Sequence, residues 1–326
     1  MAGFNIYATR AIRANLRRPL ERLGSVSEWK DAQPVPREEL LARVPAAEAL
    51  LCTFEDHIDR TVIAAGARLR VISIMSAEVD NIDLQAAHDQ GVLVCHTPGV
   101  TDQAIADMTM ALLLACARNL IDADAFVKSR EWEFLAPELF LGADVQGRAI
   151  GIIGLGHIGL LVSHRALGFG MRVLYYDPRR DHDAEEHLGI QFGSLENVLR
   201  EADFVTLHLP LHPSAYGLLN EPRLRLMKPT AYLINVSRGP LIDQQALVRA
   251  LRERWIAGAG LDVYEAEPLP RHDPLLDLPN VILSPHIGAN TTDALDTMMR
   301  MAVEQVIAVL KGHQPDHVIT IGKRAA

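Results

Sequence analysis

Cysteine is scarce in this chain. Cys52, Cys95 and Cys116 are the only three in 326 residues, each lies in an apolar run, and none has a CxxC or Cys/His spacing. This argues against a disulfide framework and a thiolate metal site, and reads as buried thiols in a reducing compartment. An excess of basic charge is also missing. Lys and Arg number 32 against 41 Asp and Glu, for a net charge of −9. A general nucleic-acid binder would need a basic face, and the one local cluster, "RRPLER" at 17–22, reads as a solvated helix face. Long apolar runs are lacking as well. "MTMALLLACA" is too short, and "AIGIIGLGHIGLLV" too glycine-rich, to span a bilayer. The opening "MAGFNIYATRAIR" has no signal-peptide pattern. Repeats of short period and low-complexity segments do not occur. The expectation is a soluble, cytoplasmic protein.

Apolar residues make up 49% of the chain, and its length suits two hydrophobic cores better than one. The first hundred residues alternate strand-like runs ("FNIYAT", "ALLCTF", "LRVISIM", "GVLVCH") with helical ones ("REELLARV", "RTVIAAGA", "NIDLQAAHDQG"). Pro98 and Gly99 break the chain, and Thr101 or Asp102 caps a helix of about five turns that is apolar nearly all round. Such a helix must be buried, against its own domain or a partner subunit. A second series follows: strands "AIGIIGLG", "RVLYYD", "ADFVTLHLP", "AYLINVS", "AGAGLDVY" and "NVILSPH", with helices between them, then a last long helix from Thr291 to Gly312. Alternation of this kind predicts an α/β protein with parallel sheets covered by helices.

"GIIGLGHIG" contains Gly154-x-Gly156-x-x-Gly159. It follows a β-rich run, opens a helix, and is succeeded by a strand ending in Asp177, about 20 residues on, as a dinucleotide-binding loop requires. Gly154 permits the turn, Gly156 lets a pyrophosphate approach the backbone, and Gly159 allows close helix–strand packing. The N–H groups of His157 and Ile158 face the phosphates, aided by the helix dipole. Asp177 accepts from the adenosine ribose and disfavours a 2′-phosphate, so NAD is expected; Arg179 and Arg180 leave NADP possible. A structural turn with a surface aspartate is the plain alternative.

In an open parallel sheet, ligands sit beyond the carboxyl ends of the strands. Those ends here carry His208 and Pro210; Asn235, Ser237 and Arg238; Asp262, Glu265 and Glu267; and His286. Reduction of a keto acid needs a proton donor, a carboxylate to orient it, and a cation for the substrate carboxylate. Histidine, glutamate and arginine on separate strand ends supply that set. Taken singly, each could be a packed or solvated side chain.

These stretches, with "LHLPLHPSAYGLLNEPRLRLMKPTAYLINVSRGPLIDQQALVRAL", "AGAGLDVYEAEPLP" and "NVILSPHIGA", resemble the D-isomer-specific 2-hydroxyacid dehydrogenases over most of residues 80–312. "PELFLGADVQGRAIGIIGLGHIG" is most similar to the glyoxylate/hydroxypyruvate reductase branch. The resemblance implies two flavodoxin/Rossmann-like domains, doubly wound parallel sheets with a cleft between them. The substrate-binding domain would be discontinuous (1–100 and 287–326), and 101–286 would bind NAD. Arg238, Glu267 and His286 fall on the family's catalytic positions. Pro210, Val236, Asp262 and Gly288 fall on its cofactor contacts, Asp262 near the carboxamide. Ala77 and Glu78 join Arg238 and His286 in holding substrate. A homodimer through the helix near 101–121 is implied, and no metal. Two positions depart from the family: Glu78 stands where glycine is usual and His96 where asparagine is usual. The expected function is NAD(P)H-dependent reduction of a small 2-keto acid. The alternatives are an NAD-sensing corepressor-like regulator or a phosphoglycerate dehydrogenase-like enzyme. The end of the chain at "IGKRAA", soon after its last helix, favours an enzyme over a regulator.

Overall fold

A computed structural model describes residues 3–320. The terminal "IGKRAA", and the first two residues of the segment read for a signal peptide, lie outside the described residues. The chain divides into two compact units, Met1–Thr101 with Asn290–Ala326, and Asp102–Ala289.

The N-terminal stretch forms β1 (Phe4–Ala8), α1 (Ala14–Glu21), β2 (Gly24–Glu28), α2 (Arg37–Arg43), β3 (Ala49–Cys52), α3 (Arg60–Ala65), β4 (Val71–Ile74), α4 (Leu84–Asp89) and β5 (Leu93–Cys95). The strands make one parallel sheet in the order β2-β1-β3-β4-β5, the flavodoxin-like arrangement. β3 and β4 are buried at every position, so they read as unbroken apolar runs. β2 is an edge strand, Gly-Ser-Val-Ser-Glu, and its polar composition hid it from the sequence reading. "RRPLER" lies on α1 and the following turn; Arg17 pairs with Glu21 at 2.7 Å and also with Glu28.

The second unit opens with α5 (Asp102–Ala117) and α6 (Leu120–Lys128). The expected continuous helix near 101–121 is therefore broken. Asn119 takes φ = 49°, the left-handed region that ends helices, and the axis bends by 66°. α5 is buried within its own unit, packing with Ile150, Val162 and Ile234. Among the described residues, no single helix is long and apolar enough to cross a membrane. Next come β6 (Ala149–Ile153), α7 (His157–Gly168), β7 (Arg172–Tyr176), α8 (His182–Leu188), β8 (Gln191–Phe192), α9 (Leu195–Glu201), β9 (Phe204–Leu207), α10 (Glu221–Leu224), β10 (Tyr232–Asn235), α11 (Gln244–Arg252), β11 (Gly258–Leu261) and β12 (Val281–Leu283). Their sheet is parallel throughout, in the order β12-β11-β10-β9-β6-β7-β8. Strand order reverses between β6 and β9, which makes that point the ligand crevice of a Rossmann sheet.

α12 (Thr292–Leu310) belongs to the first unit. Its Met298, Ala302, Val303 and Val306 pack with Ile6, Leu51 and Val71 from β1, β3 and β4. Both sheets are therefore covered by helices on both faces.

Candidate active site

The glycine loop sits at the switch point. Gly154 follows β6 with φ = 102°, and a Cβ there would come within 2.6 Å of the His208 carbonyl oxygen at the end of β9. A Cβ on Gly159 would stand 2.2 Å from the Gly154 carbonyl oxygen. Gly156 differs: a Cβ there meets nothing within 4 Å. Space is thus left open above the N-terminus of α7. α8, α9 and α11 are capped by Asp181, Ser194 and Asp243, whereas α7 has Gly156 at its N-cap and no side-chain cap. Its first amides, those of His157 and Ile158 among them, are left for an anion. The His157 side chain is exposed, 3.8 Å from Asp102. These residues fit the pyrophosphate of a dinucleotide.

Asp177 follows β7. Its Oδ2 accepts the Leu155 N–H and its Oδ1 the Arg179 N–H, both at 2.9 Å. The carboxylate therefore ties the glycine loop to the next strand end, and each oxygen keeps a lone pair for a ribose hydroxyl. Arg180 has a partner of its own. It grips Glu185 with two 2.7 Å bonds and lies 5.3 Å from the Phe192 ring centroid. The Arg180 pair and the Tyr175 hydroxyl hold the Glu185 carboxyl down at about 2. Arg179 is exposed and makes no ion pair among the described residues.

Beyond β9, β10, β11 and β12 stand the other polar residues. His208 is buried, with Nε2 3.0 Å from the Thr206 hydroxyl, and burial pushes its pKa down to about 3, so it is neutral. Pro210 is exposed and Val236 buried. Asn235 braces the turn that presents Arg238, donating to the Arg238 carbonyl at 2.9 Å and accepting from the Ser237 N–H at 3.1 Å. Burial lowers the Arg238 pKa, and the nearby Glu267 opposes that.

His286 and Glu267 form a pair. Nδ1 of His286 lies 2.6 Å from Oε2 of Glu267. A carboxylate only accepts, so Nδ1 carries the hydrogen. Burial raises the Glu267 pKa, but the His286 hydrogen bond, the Tyr264 amide and the charges of His286 and Arg238 outweigh it, so the net shift is downward. Glu267 is thus an anion at neutral pH. His286 has φ = 53°, uncommon for a residue with a Cβ. Asp262 holds it there. Its backbone carbonyl accepts the His286 N–H at 2.9 Å. Its fully buried carboxylate accepts from the Ser284 hydroxyl at 2.6 Å, the Ile287 N–H at 2.9 Å and the Gly288 N–H at 2.7 Å. The Tyr264 N–H donates to Glu267 at 2.9 Å and its hydroxyl to the Ser284 carbonyl at 2.7 Å, linking both halves of the pair. The sequence reading missed this support from Ser284 and Tyr264, which no motif spacing marks.

In the first unit, Ala77 and Glu78 follow β4. Glu78 is exposed, and its N–H donates to the Ser76 hydroxyl at 3.1 Å. Among the described residues, no group of three or more His, Cys, Asp or Glu side chains is placed to hold a metal.

A glycine loop at the switch point of a Rossmann sheet, with a carboxylate–histidine pair on neighbouring strand ends, defines a nicotinamide-dependent oxidoreductase. The family model for "D-isomer specific 2-hydroxyacid dehydrogenase, NAD binding domain" matches residues 110–288, and the chain belongs to that family. It is 45% identical over 318 residues to a glyoxylate reductase of Thermococcus kodakarensis, covering 96% of this chain and 95% of that one. Among solved structures, the TT0316 protein of Thermus thermophilus is 43% identical with a TM-score of 0.92, covering 97% of this chain and all of the other. A D-lactate dehydrogenase of Aquifex aeolicus, complexed with NAD and lactic acid, is 29% identical with a TM-score of 0.80, covering 94% and 96% of the two chains.

Proposed function

We propose that this protein reduces a small 2-keto acid, of the glyoxylate or hydroxypyruvate kind, to the D-2-hydroxy acid with NADH. The observation that carries the reading is the 2.6 Å contact between His286 and Glu267 on strand ends of the sheet that also bears the glycine loop. Asp102–Ala289 is the cofactor-binding unit in this reading, and the other unit binds substrate. The open space at Gly156 and the uncapped amides of α7 take the pyrophosphate, and Asp177 takes the ribose. Pro210, Val236, Asp262 and Gly288 border the nicotinamide end. Bound NADH supplies the hydride that reaches C2.

The rest of the chemistry belongs to the chain's own residues. His286, its Nδ1–H held by Glu267, presents Nε2 to the carbonyl oxygen and gives it a proton as negative charge develops there. Glu267 stabilises the imidazolium before transfer. Arg238 pairs with the substrate carboxylate and polarises the carbonyl. In the substrate-binding unit, the Ala77–Glu78 segment offers its backbone amides to a carboxylate. The protein is cytoplasmic in this reading, in keeping with three free buried thiols. It acts as a homodimer whose interface is formed by α6 and the residues after it, where Leu120, Val127, Trp132, Phe134, Leu135 and Leu141 are exposed.

The test is a panel of 2-keto acids, each scored by NADH and by NADPH oxidation. Turnover of glyoxylate or hydroxypyruvate, faster with NADH, is the expected result. A protein that binds NADH yet reduces none of the acids overturns the reading.

A further inference from the structure

The loop after β4 is fixed at three successive residues. The Ser76 carbonyl accepts the Thr97 N–H at 2.8 Å. The Ala77 carbonyl lies 2.7 Å from Nδ1 of His96. The Glu78 N–H donates to the Ser76 hydroxyl at 3.1 Å. A carbonyl only accepts, so the His96 ring carries its hydrogen on Nδ1 and donates it to Ala77.

His96 is itself held from several sides. It directly follows β5, its N–H donates to the His317 carbonyl at 3.2 Å, and the two imidazoles meet edge-on with centroids 6.3 Å apart. Its carbonyl accepts from Nε2 of Gln305 on α12 at 2.7 Å. Gln305 is buried, and its Oε1 accepts from the buried Ser73 hydroxyl of β4 at 2.7 Å. A polar chain thus runs from α12 through His96 to the Ala77 carbonyl, inside one unit.

The Ala77 carbonyl and the Glu78 N–H belong to one peptide group. A donor on the carbonyl oxygen withdraws electron density from that group and strengthens its N–H, which the Ser76 hydroxyl holds here and an incoming carboxylate has to share or take over. It also fixes the peptide plane and so the direction of the N–H. Resting on the reading that this segment receives the substrate carboxylate, we propose that His96 is a positioning residue for 2-keto acid binding: its Nδ1–H orients and polarises the Ala77–Glu78 peptide.

The bond is local, so its loss should appear in KM. In His96→Ala the KM for glyoxylate is expected to rise roughly 3- to 10-fold, the range for losing one hydrogen bond. kcat should hold within about 2-fold, as the His286–Glu267 pair is elsewhere in the chain. Affinity for NADH, read by fluorescence titration, should not change. Asparagine places its amide nitrogen the same number of bonds from Cα as Nδ1, so His96→Asn should restore the wild-type KM. Glutamine carries its amide one carbon further out, so His96→Gln should behave as His96→Ala and serves in its place if the alanine variant fails to fold. An unchanged KM in the alanine or glutamine variant overturns the proposal, as does equal damage in the asparagine and glutamine variants. If the wild-type enzyme reduces keto acids in a His286-dependent way while the His96 variants match it, this proposal fails alone. If the wild type reduces no keto acid, the reading beneath it fails, and the proposal falls with it.

Discussion

At the scale of single residues, the chemistry rests on one proton. His286→Ala removes the donor and leaves the glycine loop intact, so kcat should drop by roughly 10²- to 10⁴-fold, the span of general acid catalysis, with NADH affinity retained. The pH profile carries a second signature. The proton is delivered through His286, and activity depends on the charge of its partner Glu267. At the acid end it falls when Glu267 is protonated, and the lowered pKa of Glu267 moves that limb below the ordinary carboxylate range. Glu267→Gln should abolish the acid limb; an acid limb that persists would assign it to another group. Asp262→Asn is expected to act on the same proton indirectly. An amide nitrogen cannot accept the Gly288 N–H now bonded at 2.7 Å, so the turn that holds His286 at positive φ loosens. One unsatisfied buried donor costs roughly 1–3 kcal/mol, seen as a lower melting temperature and a lower kcat. NADH affinity separates the roles: a change within a few-fold marks a positioning residue, and collapse marks a cofactor contact. Arg238, Glu267 and His286 could be singled out in the sequence because their residue types are what keto-acid reduction needs, set at strand ends, and the structure brings Glu267 and His286 together. The Asp262 staple was not legible, since it depends on the backbone turn at His286, which sequence spacing does not encode.

At the scale of elements, the three glycines of the loop do separate jobs, and the structure makes them separable by experiment. Gly159→Ala puts a methyl 2.2 Å from a backbone oxygen, and only a shift of α7 away from β6 can relieve it. Overpacking of this kind costs roughly 1–3 kcal/mol, so both thermal stability and NADH binding should suffer. Gly156→Ala meets no protein atom within 4 Å, and φ = −79° suits any residue. Its melting temperature should match the wild type while NADH affinity falls, because the methyl fills the space kept for phosphate. Equal NADH affinity in Gly156→Ala would mean that the anion does not sit over α7. The loop could be read from sequence because glycine spacing is itself the constraint. The buried strands could be read because both faces of a parallel sheet are apolar. β2 could not, since Ser and Glu on a half-exposed edge look like loop, and neither could the break of α5, which turns on the left-handed conformation of Asn119.

At the scale of the whole molecule, what remains is the surface that the second unit leaves uncovered. The apolar character of 102–117 said only that this helix is buried, and the structure shows it buried within its own unit. A run of exposed apolar residues lies further along, from α6 to Leu141, with Phe134 at 73% and Leu135 at 83% exposure. Scattered surface leucines need no explanation, but a run of large apolar side chains along one short segment marks an interaction surface. A stable dimer buries roughly 800 Å² per partner, which about two dozen residues can supply, and α6 with the segment after it is long enough. The expected mass by light scattering at micromolar concentration is that of two chains. Phe134→Asp with Leu135→Asp puts two charges where the interface would desolvate them, and at roughly 1.4 kcal/mol per decade of affinity even a modest penalty for each shifts the equilibrium strongly toward monomer. Neither residue belongs to the glycine loop, so NADH binding should persist in the monomeric variant. A double variant that stays dimeric would move the interface off this segment, and a wild type that is monomeric at all concentrations would leave the patch to a different partner.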